Sequence, residues 1–149
     1  MLICLVVISA IFLRFWHLNA DIPLLQSADD LGDEGYWAWR ARDLIYHGTI
    51  DIGSNFYQAL AGAPLTVFLL HALGSLSGNF TLWEARFFTA FFSSILLLAG
   101  SYYLAYVRGR TMATLIFIAL YGLFPLTLFY SRIGHLEQGV LLFLLLSFI

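Results

Sequence analysis

The sequence has no lysine, one cysteine and little charge of either sign, and each shortage closes off a class of protein. All seven cations are arginines and the net charge is −2, so no basic patch exists to track a phosphate backbone and nucleic acid is not an expected partner. Cys4 stands alone in an apolar run, which excludes a disulfide or a thiolate metal site within the chain and leaves the redox compartment unread. Only 11% of the residues are charged, against about 25% in soluble domains, too few to coat a globule with polar surface. The Walker loop, GxGxxG, HExxH and GxSxG are missing too, which removes P-loop nucleotide hydrolysis, zincin and serine-hydrolase chemistry.

What is present is apolar: 61% of the residues are hydrophobic, 17% are aromatic, and the mean hydropathy is +0.86. This composition predicts an all-α, multi-pass transmembrane protein. Met1 to Leu18 is apolar apart from Ser9, Arg14 and His17; Arg14 and His17 are expected to snorkel to the interface beside Trp16. With no positive n-region and no small-x-small cleavage site, this segment reads as an uncleaved anchor rather than a signal peptide. Further spans are expected at residues 84–107 and 112–130, the latter kinked at Pro125. The final run from Gly139 has about half the ~20 residues that a span requires. The chain is therefore expected to stop inside a helix, as the N-terminal part of a longer protein.

Residues 19–83 read as an external loop. Its first part, Asn19 to Gln58, holds seven of the nine acids, Asp21, Asp29, Asp30, Asp33, Glu34, Asp43 and Asp51, and cannot lie in lipid. Within it, Asp33 to His47 predicts a helix, with Asp30 as N-cap, acids in the first turn and Gly48 to end it. Tyr36, Trp37, Trp39, Leu44, Ile45 and Tyr46 suit it to a membrane surface. Arg108 and Arg110 flank Gly109, and a short arginine-rich loop belongs on the cytoplasmic side. That sign pattern is met when Leu60 to Ser77 lies at the outer interface or is re-entrant instead of crossing. Residues 19–83 and 131–138 then share the outer side.

Three groups of residues carry candidate chemistry. In GDEGYWAWR, Gly32 to Arg40, an interfacial carboxylate of Asp33 or Glu34 can take a proton from an incoming hydroxyl or amine; the same pair also suits a helix start. Glu137, with Arg132 and His135 ahead of it, can orient an acceptor, hold a metal or pair with the arginine. Arg86, just inside the second span with Glu84 before it, either meets an anionic phosphate or snorkels and pairs.

Taken in order, LRFWHLN (Leu13 to Asn19), GDEGYWAWRARDLIYHGTI (Gly32 to Ile50), WEARFFTAFFSSILLLAGSYYLAYVRGR (Trp83 to Arg110) and LFYSRIGHLEQGVLLF (Leu128 to Phe143) resemble the N-terminal part of a GT-C superfamily glycosyltransferase. The similarity is to the protein O-mannosyltransferase and lipid A aminoarabinose transferase group. It implies surface-lying helices in the first external loop. It also implies a polyprenyl- or dolichyl-phosphate sugar donor and inverting transfer to a protein, lipid or glycan acceptor on the non-cytoplasmic side. On that resemblance Asp33 matches the catalytic base and Glu34 its partner, while Arg86 matches an arginine near the lipid phosphate. Glu137, His135, Arg132 and Tyr36 are then expected at the substrate, with a divalent metal as a possible cofactor. Two departures stand out: the second acidic position, often Asp in the group, is Glu137, and the proline-rich segment after the loop helices is reduced to Pro64. The implied location is a membrane, the plasma membrane in a prokaryote. The rival expectations are a transporter or flippase of lipid-linked intermediates and a non-catalytic membrane scaffold.

Overall fold

The computed structural model describes residues 2–20, 38, 41–42, 44–48, 64–133 and 137–148. The regular elements among them are helices: α1 (Leu2–Phe15), α2 (Pro64–Ser77), α3 (Leu82–Tyr102), α4 (Thr111–Phe117), α5 (Pro125–Tyr130) and α6 (Glu137–Phe148), with π-helical stretches at Tyr103–Val107 and Ile118–Leu123. The all-α expectation holds. Leu82–Val107 is a 26-residue apolar rod, about 39 Å long at 1.5 Å per residue and sufficient for a ~30 Å hydrocarbon core. The other apolar helices among the described residues are shorter.

The chain divides into two compact units, Met1–Trp16 with Thr89–Ile149, and His17–Phe88. In the first, α1 and α3 run antiparallel: Arg14 meets Ser93, whereas Ile3 to Ile8 face Leu98 to Tyr106. Residues 111–130 return parallel to α1, joined to α3 by a turn in which the Arg108 N–H reaches the Tyr103 carbonyl (2.9 Å) and Gly109 takes φ +61°. A residue with a side chain is strained there. Val7, Ala10, Leu97 and Ile118 form the buried apolar core. Close approach depends on a small residue at Gly100, where a Cβ would collide with the Phe117 ring; at Gly122 a Cβ would make ordinary contact with Ile118, Leu97 and Ala10.

In the second unit, residues 41–42 and 44–47 are helical and end at Gly48 (φ +63°), where the sequence places the stop. The Phe80 N–H donates to the Tyr46 hydroxyl (3.0 Å), tying this stretch to the turn after α2. Glu84 caps α3: its carboxylate accepts from the Thr81 N–H (2.7 Å) and hydroxyl (2.5 Å), the reciprocal pattern of a capping box. Of the segment Leu60 to Ser77, the described part forms α2, and residues 60–63 lie outside the described residues.

Candidate functional site: a broken helix and the arginine that serves it

The 112–130 segment is not one kinked helix. Pro125 disfavours helical geometry in the residue before it, and Phe124 is extended (ψ 128°) between the π-helical stretch and α5. Pro125 also has no N–H for the Tyr121 carbonyl four residues back. The groups that would serve Leu120 and Gly122 in an α-helix, the N–H groups of Phe124 and Leu126, flank the extended break. Side chains take these carbonyls instead. Thr127 donates its hydroxyl to the Leu120 carbonyl (2.7 Å), and Arg14 reaches across from α1 to the Tyr121 (2.8 Å) and Gly122 (3.1 Å) carbonyls.

This corrects the expectation that Arg14 snorkels. Its side chain is fully buried, and the guanidinium is further spent on the Ala10 carbonyl (2.9 Å) and the Ser93 hydroxyl (2.7 Å). Among the described residues no carboxylate compensates it; four oxygen dipoles do, with the Tyr121 ring face 5.3 Å from the guanidinium carbon. A charge near a helix end reaches water only if its face of the helix is open, and the face of α1 that carries Arg14 is closed by Ser93 and residues 121–122.

The layer continues to α6. Tyr121 and Ser93 pair their hydroxyls (3.1 Å), and the Tyr121 hydroxyl donates to Gln138 Oε1 (2.7 Å). Gln138 is buried while Glu137, the first residue of α6, is exposed. Arg132 donates to the Leu13 (3.1 Å) and Trp16 (2.6 Å) carbonyls at the end of α1. So Arg132 and Glu137, both singled out in the sequence, lie at the end of this unit from which α1 leaves. Ser93, Tyr121 and Gln138 were missed. The readable signal was Pro125, whose missing N–H requires a donor for Tyr121.

In the second unit Arg86 is buried, and its Nη1 donates to the Leu18 carbonyl (2.8 Å) in the turn after α1, where His17 takes φ 50°. The Glu84 carboxylate beside it is engaged by Thr81. Asp33, Glu34, Tyr36 and His135 lie outside the described residues. Among the described residues no three His, Cys, Asp or Glu side chains gather as a metal site.

Comparison with protein-family models, curated proteins and solved structures finds no match. The functional reading therefore rests on the residues and their chemistry. The polar layer is a structural joint, since its donors are already spent on protein oxygens.

Proposed function

We propose that the chain is the N-terminal part of a multi-pass membrane glycosyltransferase that moves a sugar from a polyprenyl- or dolichyl-phosphate carrier to an acceptor on the non-cytoplasmic side, with inversion. The observation that carries it is one of order: an Asp33–Glu34 pair after the first apolar segment, Arg86 just inside the next, and Glu137 ahead of another. On this reading Leu82–Val107, the one helix among the described residues long and apolar enough to cross a membrane, is joined as a span by the shorter α1, residues 111–130 and the helix beginning at Glu137. Their alternation puts the Arg108–Arg110 turn in the cytoplasm, as the positive-inside rule asks.

Chemically, Asp33 removes the acceptor proton while the carrier phosphate leaves from the opposite face of the anomeric carbon. Glu34 and Glu137 position the acceptor or a divalent metal. Arg86 acts on the donor phosphate or through the turn whose Leu18 carbonyl it holds. Support from the fold is indirect. Arg132 ties the turn after α5 to the end of α1, and Gln138 ties the first turn of α6 to Tyr121, so Glu137 starts a helix anchored within the first unit.

Membranes containing the full-length protein, supplied with radiolabelled polyprenyl-phosphate sugars, test it. Label should leave the lipid in wild type and stay in Asp33→Asn at equal protein abundance; transfer that survives the substitution removes the base assignment. A buried arginine beside a broken helix is also a feature of transporters. Lipid-linked sugar crossing the membrane unconsumed in both proteins would favour that second reading.

A further inference from the structure

At the end of the first unit away from Arg14, α1 and α3 part around a half-open groove of about 540 Å³, lined by Cys4, Val7, Leu98, Ser101, Tyr102 and Tyr106 among others. That volume falls within the ~300–1,000 Å³ of ligand sites. Its walls are mostly apolar, and one polar group in them is buried. The Ser101 hydroxyl is buried and has no hydrogen-bond partner, whereas Ser94 on the same helix returns its hydroxyl to the Ala90 carbonyl (2.7 Å). A serine in a helix ordinarily satisfies itself in that way. Ser101 instead lines the groove with a polar group unpaired.

Two residues beyond Tyr106 the chain turns through Arg108 and Arg110. Both are exposed, and neither guanidinium has a partner among the described residues. Tyr102 and Tyr106 pack ring to ring (centroids 5.3 Å apart) along the groove, both exposed, as aromatics do at a membrane interface. Largely apolar walls, one buried unpaired hydroxyl and two exposed arginines in the turn that follows the lining residue Tyr106 describe the complement of an amphiphile with an anionic head.

We propose that this groove binds one anionic phospholipid of the cytoplasmic leaflet, an alkyl chain lying against Val7, Leu98 and Cys4, the ester region at Ser101, and the phosphate on Arg108 and Arg110. The occupant is a bilayer phospholipid because the two arginines that follow the groove's last lining residue belong to the turn that the positive-inside rule assigns to the cytoplasm, where anionic lipids attract juxtamembrane arginines. The proposal rests on the membrane-crossing part of the function proposed above and not on its transfer chemistry.

The test uses the full-length protein in nanodiscs. A bimane on Cys4, the only cysteine of this sequence, reports quenching by chain-labelled (doxyl) phosphatidylglycerol or phosphatidylcholine. Native mass spectrometry of the unlabelled protein counts retained lipids. Wild type should be quenched by phosphatidylglycerol at a mole fraction about tenfold lower than by phosphatidylcholine and should retain one phosphatidylglycerol. R108Q/R110Q, altered only at exposed positions, should lose both the preference and the retained lipid. Equal quenching by the two lipids in wild type, or a preference surviving in R108Q/R110Q, overturns the proposal. So does displacement of phosphatidylglycerol by far lower amounts of polyprenyl phosphate, which would give the groove to a carrier lipid. Sugar transfer lost in Asp33→Asn with lipid retention intact separates this site from the transferase reading.

Discussion

Helices α1 and α3 meet at two levels, and the two meetings are made of different chemistry. At the Arg14 level, Arg14, Ser93, Tyr121 and Gln138 join four helical segments by hydrogen bonds, and the gap is filled. At the Cys4 level the same two helices offer each other alkyl and aromatic side chains, and a groove stands open between them. On the membrane-spanning reading proposed above this follows from the solvent: apolar side chains gain nothing by leaving hydrocarbon for one another, so helices are drawn together by close packing and by polar groups that need partners. At the first level Leu97 and Ala10 pack beside Gly122.

The comparison breaks most sharply if Arg14 is removed. Arg14→Leu leaves the Tyr121 and Gly122 carbonyls without the donor that serves them, and should cost about 2–4 kcal/mol, measured by reversible unfolding in mixed micelles. Arg14→Lys should recover less than half of it, because a single ammonium cannot repeat the planar fork that reaches Ser93 and three carbonyls at once. A substitution without effect would mean that the layer does not hold the bundle.

A sharper version asks why the arginine is needed. If Pro125 creates the demand, Pro125→Ala returns an N–H to the Tyr121 carbonyl and makes Arg14→Leu cheaper. The double-mutant cycle should show coupling of about 1–2 kcal/mol. Strict additivity would show that Arg14 serves Ser93 and Ala10 alone. Tyr121→Phe, which keeps the ring under Arg14 and deletes the links to Ser93 and Gln138, should cost about 0.5–1.5 kcal/mol in the same assay.

Much of this fold was legible in the sequence, for reasons that also mark where reading failed. Hydropathy placed a span at residues 84–107 and the structure has the rod Leu82–Val107; a glycine stop at Gly48 and the arginine-flanked turn at Gly109 fell as expected. These depend on local chemistry. Pro125 was read as a kink, yet the π-helical widening ahead of it and the unserved carbonyls could be matched to Arg14 only by joining positions over 100 residues apart. Arg14 itself was misplaced because hydropathy grades depth and is blind to rotation about the helix axis. For the site, the residues expected at the substrate divide. Arg86 and Arg132 are held by backbone carbonyls, Glu137 is exposed at a helix start, and Asp33, Glu34, Tyr36 and His135 lie outside the described residues.

The smallest effect is expected at the apolar level, and its sign carries the information. Ser101 keeps a hydroxyl buried without a partner. In a neutral detergent, with no phospholipid to meet it, Ser101→Ala removes an unmet polar group and should stabilise the chain by less than about 1 kcal/mol. Adding phosphatidylglycerol should reverse the order, since the wild-type hydroxyl then gains a lipid oxygen that alanine cannot contact. A Ser93→Ala control should be destabilising in both media, because the Ser93 hydroxyl accepts from Arg14 and pairs with Tyr121 whether lipid is present or not. If Ser101→Ala behaved like Ser93→Ala, the hydroxyl would have a partner within the protein, and the contrast between a bonded level and an open one would fail at its open end.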